Sequence, residues 1–374
     1  MSIPLDQVEQ TLTRLWEEEV RSDRSVAHAT LLNLVVLVSH DSLLERAQSM
    51  IAELVKYHAA RTITVTWTEE GTPEIEADVG LYRTGDTRNS ACGERIFLRA
   101  HGTARLWVPE NIERLALSGL PYIVWWVGDL PDRDNLLERI IERADLAVVN
   151  SAEMDLRDLV KLADVADKFP NTALTDLTWV RLRGLQDLIA RFFDDPETRP
   201  YLEELTQIHF SYSCRESETD VASTRVGLLL GWLCQALDVD TDRCMWSVRK
   251  HGGDVFLGRE NPHPPVHVRI AHDRRPGVHD GALTRIELRA GQREQAKFLI
   301  ERQEDPSNVL WSLDVPGLNT PSQLVRFESH FESNTLRRTL ERPERDVLFE
   351  SSLRAARSIL KAVAPRLTSP PTGK

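Results

Sequence analysis

No apolar run in the 374 residues is long enough to cross a bilayer, because the longest, Leu34–Val38 and Tyr122–Val127, are only strand-sized. No transmembrane helix is therefore expected. The stretch Met1-Ser2-Ile3-Pro4, followed by Asp6, Glu9 and the run Glu17-Glu18-Glu19, has neither the basic start nor the apolar centre of a signal peptide. A cytoplasmic location is the expectation. Cysteine is scarce: Cys92, Cys214, Cys234 and Cys244 stand far apart without a Cys-x-x-Cys spacing, so neither a zinc site nor a dithiol motif is visible. Reduced, mostly buried thiols are expected. Positive charge is also in short supply, with 46 Lys and Arg against 58 Asp and Glu and a net charge of −12. Such a surface repels phosphate backbones and anionic lipid, so no nucleic-acid or membrane partner is expected.

The common catalytic signatures are missing too. The first strand is followed by Ser39-His40-Asp41-Ser42, with none of the glycines that let a dinucleotide pyrophosphate approach the backbone. There is no Walker A loop, no Gly-x-Ser-x-Gly elbow and no His-Glu-x-x-His pair. No cofactor or metal is expected. No sequence repeat or sizeable low-complexity segment occurs. With 41% hydrophobic and 28% charged residues, the composition is that of a globular chain with well-formed cores. At about 150 residues per domain, the length suggests two domains most simply.

The pattern of the first half is that of an α/β domain. Leu5, Val8, Leu12, Leu15 and Trp16 form a helical stripe after Pro4. The continuous run Leu31–Val38 reads as a strand covered on both faces. Ser39, Asp41 and Ser42 are candidate caps for a helix carrying Ala47, Met50, Ile51 and Leu54. Arg61–Trp67 then completes a strand–helix–strand unit, which predicts a parallel sheet. Residues 74–98 alternate with period two and suit a hairpin or edge addition. A helix near Asn111–Leu117, a buried strand at Tyr122–Val127 ending in Gly128-Asp129, a helix over Leu136–Ala144 and a strand at Leu146–Val149 continue the rhythm. A doubly wound, mostly parallel sheet is expected.

Asp176 is a candidate N-cap for a helix with the stripe Leu182, Leu185, Leu188, Ile189 and Phe192. Asp194-Asp195-Pro196-Glu197-Thr198-Arg199-Pro200 is the strongest boundary signal. The expected organisation is an α/β domain over residues 1–198, an α+β domain with an antiparallel sheet over 199–367 and a disordered tail over 368–374. In the second part, Ile208–Tyr212 reads as a strand and Val226–Leu237 as a buried helix. Cys244–Val248, Val266–Ile270, Leu283–Leu288, Ala296–Ile300 and Val309–Val315 are further strand candidates. Phe349, Leu353, Ala356, Leu360 and Val363 mark a final helix.

Few residues point to chemistry. His263, His267, His272 and His279, with Asp273 and Asp280, could meet around a hairpin, but their spacings match no ligand pattern. The adjacent acids Asp194/Asp195 and Glu203/Glu204 point different ways on regular structure and suit solvated positions better than paired acid–base work. Cys92 precedes Gly93-Glu94-Arg95; a small buried hydrophobe is favoured over an activated thiol. Trp125 and Trp126 should cover opposite faces of their strand, with one ring contributing to a partner surface as the other reading. Asp129 lies beyond a strand end, where open α/β sheets bind ligands and it could hold a cationic or hydroxylated group, although a turn-forming Asx is the favoured reading. Trp179 and Arg181 form either a helix start with a surface arginine or a binding pair.

Four strings carry a resemblance: Arg61-Thr62-Ile63-Thr64-Val65; Ala91-Cys92-Gly93-Glu94-Arg95-Ile96-Phe97-Leu98; Leu120 to Pro131 with its Trp-Trp-x-Gly-Asp-x-Pro; and Asp176-Leu177-Thr178-Trp179-Val180-Arg181-Leu182. In this order they resemble segments of the glucose-6-phosphate dehydrogenase assembly protein OpcA family, and Val226–Leu237 resembles that family's second domain. His58-Ala59-Ala60-Arg61 departs from a His-Pro-Ser-Arg pattern, and without a close cysteine pair no thiol control is carried over. The resemblance implies a non-catalytic partner that binds glucose-6-phosphate dehydrogenase, promotes its active oligomer and raises its activity at the NADPH-forming entry to the oxidative pentose phosphate pathway. Trp125, Trp126, Asp129, Trp179 and Arg181 are the candidate partner-binding residues. The alternative is an α/β sugar-phosphate- or nucleotide-binding enzyme that uses the loop around Asp129.

Overall fold

The computed structural model describes residues 3–22, 30–83, 92–131, 135–214, 223–249, 252–260, 262–291, 293, 295–326, 332–341 and 344–361. Contacts divide the chain into two compact units: Met1–Glu153 with Val165–Leu177 and Phe331–Arg345, and Met154–Asp164 with Thr178–His330 and Asp346–Lys374. Each unit is assembled from three stretches of chain, whereas the division expected at Asp194–Pro200 is a single cut. The expected tail at 368–374, and Val363, lie outside the described residues. No described helix is long and apolar enough to cross a membrane.

The helices are α1 (Val8–Ser22), α2 (Leu44–Leu54), α3 (Val108–Leu115), α4 (Leu136–Ile141), α5 (Leu156–Lys168), α6 (Leu177–Ala190), α7 (Pro200–Glu203), α8 (Thr224–Ala236), α9 (Glu332–Glu341) and α10 (Val347–Lys361). The sheet of the first unit contains β1 (Leu32–Val38), β2 (Ala60–Thr68), β3 (Glu74–Arg83), β4 (Cys92–His101), β5 (Tyr122–Val127), β6 (Leu146–Val149) and β7 (Ala173–Asp176), in the order β3-β4-β2-β1-β5-β6-β7. Every pairing is parallel except that of the edge strand β3 with β4. Without β3, this is the strand order of a dinucleotide-binding sheet, which changes direction beside its first strand.

All seven residues of β1 are buried, which is why the strand is apolar at every position but Asn33. Leu34, Val36 and Val38 share one core with Trp125 and Val127 of β5, with Ala47, Met50 and Ile51 of α2, and with Leu336 and Leu340 of α9. On the alternate side Asn33 Nδ2 donates to Leu117 O at 2.9 Å, and Leu117 N–H donates back to Asn33 Oδ1 at 2.8 Å, fixing the end of α3. The expected caps of α2 are not used as caps. The helix is entered through a 3-10 turn at Asp41–Leu43, and neither start carries a side-chain capping bond, because Ser39 is committed elsewhere. Asp176 ends β7, and its carboxylate accepts the N–H and hydroxyl of Ser151 at 2.9 and 2.6 Å.

The second unit holds β8 (Leu205–Ser213), β9 (Val239–Arg249), β10 (Gly252–Arg259), β11 (Val266–Asp273), β12 (Leu283–Ala290), β13 (Ala296–Arg302), β14 (Asn308–Asp314) and β15 (Gln323–Arg326). Their order is β15-β14-β13-β12-β8-β11-β10-β9, antiparallel throughout except for β8 with β11. The α8 helix is apolar nearly all round and buried from Val226 to Leu230. It approaches α10 so closely that a Cβ on Gly231 would lie 2.0 Å from the Ser352 carbonyl oxygen. Only glycine fits there.

Candidate functional site

In open α/β sheets the ligand crevice lies beyond the carboxyl ends of the strands where the order reverses, here at β1 and β5. Val38 and Val127 are paired at those ends, so Ser39–His40 and Gly128–Asp129 leave the sheet side by side. Gly128 has φ +100°, and a Cβ on it would lie 2.1 Å from Ser39 Oγ. The turn therefore requires glycine for both conformation and space. Trp126 Nε1 donates to the Asp129 carbonyl at 2.9 Å. The Asp129 carboxylate accepts Ser39 Oγ at 2.9 Å and meets His40 Nε2 at 2.9 Å. These contacts explain the Trp126-Val127-Gly128-Asp129 part of the string as one locked turn.

The turn's polar groups are largely satisfied from within. Gly128 N–H donates to Glu153 Oε2 at 2.9 Å, Asn150 Nδ2 donates to Glu153 Oε1 at 2.6 Å, and Arg46 pairs with the same carboxylate. Ser39 N–H donates to the Val127 carbonyl at 3.0 Å. A phosphate cradle needs backbone N–H groups directed at the ligand. Here those two N–H groups are taken by a carboxylate and a carbonyl. What the turn offers outward is the half-exposed carboxylate of Asp129 beside the exposed His40 ring, a pair suited to a cationic or hydroxylated group.

The three candidate tryptophans are core residues, each about 1% exposed, so none is an exposed anchor in this chain. Trp125 belongs to the core that includes Val36 and Leu340, whereas Trp126 lies 5.7 Å from the Trp67 ring. Strand alternation sends the two indoles to opposite sides. Trp179 stands 5.6 Å from Phe349, and its Nε1 donates to Asp346 Oδ2 at 2.9 Å. Arg183 donates to the same oxygen at 2.7 Å, and Phe349 N–H donates to Asp346 Oδ1 at 2.9 Å. Burial pushes the Asp346 carboxyl up, but those three donors outweigh it and hold it below the usual carboxylate range. Arg181 is half-buried, with Nη2 3.4 Å from Thr178 Oγ1. Thus Trp126 and Asp129 meet in one turn, while Trp179 and Arg181 belong to the start of α6.

A second polar cluster escapes motif reading. Arg61, at the head of β2, is 4% exposed and Glu94 of β4 is 2% exposed. Arg61 Nε pairs with Glu94 Oε2 at 2.5 Å, its Nη1 reaches Glu9 Oε1 at 2.6 Å and the Leu115 carbonyl at 2.7 Å, and Trp16 Nε1 donates to Glu94 Oε1 at 2.8 Å. Burial lowers the Arg61 pKa, but Glu94 and Glu9 outweigh this and raise it. These groups line a groove of about 560 Å³ with Leu12, Val20 and Arg21. The available signal was an arginine and a glutamate inside otherwise apolar strands. Such residues stay charged when buried only if they find each other.

The remaining candidates take structural partners. His267 lies 2.8 Å from Asp254 and stacks on Phe256, and among the described residues no three His, Cys, Asp or Glu side chains gather as metal ligands. Asp195 accepts the Glu197 N–H within its turn. Arg95 pairs with Asp78 at 2.6 Å, while the Cys92 side chain lies outside the described residues. Burial pushes the Cys234 thiol up, keeping it protonated and unreactive.

Comparison with known proteins agrees with the strings read from the sequence. Residues 52–164 match the glucose-6-phosphate dehydrogenase subunit N-terminal domain and residues 172–353 the corresponding C-terminal domain. The putative OxPP cycle protein OpcA of Synechocystis sp. (strain ATCC 27184 / PCC 6803 / Kazusa) is 32% identical over 41% of this chain and 33% of its own length. The protein of the same description from Nostoc punctiforme is 26% identical over 52% of this chain and 40% of its own length. The chain thus spans less than half the length of these relatives. Among solved structures, an oxidoreductase from Sinorhizobium meliloti is similar at 11% identity and a TM-score of 0.49, over 90% of this chain and 98% of that one; similarity this remote carries no functional message. With both parts of the chain matched in order by domains of one family, it belongs to the glucose-6-phosphate dehydrogenase assembly protein OpcA family.

Proposed function

We propose that this chain is a non-catalytic, cytoplasmic partner of glucose-6-phosphate dehydrogenase that binds the enzyme, promotes its active oligomer and raises its activity in the oxidative pentose phosphate pathway. The supporting observation is the pair of matched domains, both described as parts of a glucose-6-phosphate dehydrogenase subunit. An activator of this kind needs no reacting groups. It must bind the active arrangement better than the inactive one, and a tenfold shift requires about 1.4 kcal/mol of differential binding. The alternative, a sugar-phosphate- or nucleotide-binding enzyme centred on Asp129, is less well supported because Glu153 and Val127 already occupy the N–H groups of Gly128 and Ser39.

The test is a titration of the purified chain into its cognate dehydrogenase. The chain alone has no dehydrogenase activity, and its addition lowers the enzyme's KM for glucose 6-phosphate and increases the larger oligomer in light scattering. Unchanged kinetics and unchanged mass across the titration overturn the proposal. Saturable binding of glucose 6-phosphate or NADP to the chain alone, lost in Asp129→Ala, favours the enzyme reading.

A further inference from the structure

The sheet of the second unit is buried on one face only. Along β11, Val266, Val268 and Ile270 are buried while His267 and Arg269 between them are not; along β14, Val309 and Trp311 are buried while Leu310 and Ser312 are half-exposed. The buried side is covered in part by the end of α6 and the turn after it, where Phe192 stacks on Trp311 at 4.7 Å and Trp311 Nε1 donates to the Leu188 carbonyl at 3.0 Å. The opposite face carries the other residues of each alternation.

Strand register orders that open face into rows. Met245, Phe256, Arg289, Lys297 and Asp314 share one row between β9 and β14, Asp254, Arg269 and Glu287 a second, and Arg285, Glu301, Leu310 and Leu324 a third. Charge on these rows is balanced. Arg269, Arg285, Arg289 and Lys297 are matched in number by Asp254, Glu287, Glu301 and Asp314, and Arg289 Nε lies 2.7 Å from Glu287, Arg285 Nη1 3.0 Å from Glu301 and Arg269 Nε 3.9 Å from Asp254. Apolar side chains lie at both ends of the sheet. Met245 and Phe256 are 67% and 42% exposed at the β9–β10 end, and Leu324, paired in register with the half-exposed Leu310, is 64% exposed at the β14–β15 end.

We propose that this face joins two copies of the chain in an isologous dimer, whose two-fold axis lies in the interface and runs along the strands at the middle of the sheet. Rotation about that axis lays the β9–β10 end of each copy over the β14–β15 end of the other. Met245 and Phe256 then meet the second copy's Leu310 and Leu324, twice over, while the ion-paired middle of one sheet lies on that of the other. A two-fold across the strands instead exchanges the first row with the third and sets Arg289 against the second copy's Arg285, so charge selects the axis. Charge selects the occupant as well. Two chains of net charge −12 repel over most of their surfaces, whereas a face without net charge adds no such term where they touch. A partner surface of one sign leaves either the cations or Glu301 and Asp314 facing like charge; a face of the same mixed pattern answers both. Size agrees: seven spacings of about 4.8 Å and a strand length of about 20 Å give about 700 Å² per copy, or about 1,400 Å² for the pair, inside the ~1,200–2,000 Å² of a stable interface. The dimer is a property of the chain by itself and does not rest on the partner reading above.

The test is sedimentation equilibrium on the full chain without any dehydrogenase, with cooperative thermal melting as the check of folding. The expected species at micromolar concentration has twice the 42.6 kDa of the chain; a single-chain mass at every concentration reached overturns the proposal. Met245→Ser and Leu324→Ser are each expected to weaken dimerisation at least fivefold, and the two together by less than the product of their single effects, because under this symmetry they touch each other. A combined loss equal to the product shows that the two ends are independent and rejects the arrangement. Arg269→Glu with Lys297→Glu removes the charge balance and should weaken dimerisation at least tenfold, while Arg14→Glu with Arg21→Glu, an equal charge change on exposed positions of α1, stays within twofold. Equal loss in these two chains overturns the proposal, since total charge would then explain the effect. If the face-reversed chain does not melt cooperatively, the serine variants decide alone. A dimer that keeps its affinity in every face variant is built on another surface and overturns this one.

Discussion

The two sheets dispose of their second face in opposite ways. In the first, β1 is buried at every position, and Trp125 and Trp126 are buried on opposite sides of β5. In the second, burial alternates, and a layered array of carboxylates, cations and a few apolar side chains is left on the surface. A sheet buried on both sides has its side chains committed to packing. A half-open sheet keeps a broad, ordered surface at no cost to its core. The residues that made the sequence recognisable lie mainly in the first kind of environment, so they report architecture more than contact with a partner.

The comparison can be tested by like substitutions in the two places. Trp125→Ala should destabilise the chain by about 3–5 kcal/mol, because it removes a fully buried aromatic ring. Denaturant unfolding measures this, and a loss below about 1 kcal/mol would show that the doubly covered sheet is more plastic than its packing implies. A smaller effect is expected from titration of Glu287. Burial pushes this carboxyl up, but hydrogen bonds from Arg285 and Arg289 and the charge of Lys297 outweigh it and hold the group below the usual range. Its contribution is thus present above the unfolded pKa of about 4.3 and is lost as pH falls through the lower folded value. Wild-type stability should therefore fall more steeply than that of Glu287→Gln as pH drops below about 4.3, and parallel pH profiles would contradict the pairing of Glu287 with Arg285 and Arg289. Least affected should be Phe256→Ser, whose ring is 42% exposed; the expected change is within about 0.5 kcal/mol in the isolated chain.

Much of this fold is legible residue by residue. The run ending at Val38 gave a strand covered on both sides, Val226–Leu237 gave a buried helix, and short runs separated by turn residues gave most strands of the second sheet. β7, with only four residues, and α9, largely polar, lacked a run or stripe strong enough to announce them, and β15 is an exposed edge strand. Caps at Ser39, Asp41 and Ser42 were expected from residue type alone, but Ser39 Oγ has a stronger claim in the Asp129 carboxylate. That claim comes from a residue ninety positions away, which local pattern cannot weigh.

Trp125, Trp126 and Trp179 illustrate the same limit at the candidate site. Their presence on an apolar strand and at a helix start could be read from the sequence, and so could the glycine turn after β5. Their burial could not, because it depends on Leu340, Trp67 and Asp346 arriving from distant segments. By itself the sequence determined the fold class, the missing catalytic motifs and the family strings, since each of these is a matter of residue type and spacing along the chain. The tertiary structure alone decided that Arg61 meets Glu94, that Glu153 occupies the Gly128 N–H, and that Arg269, Arg289 and Lys297 share one open face. Strand register and packing create those neighbours, and neither is encoded in local periodicity.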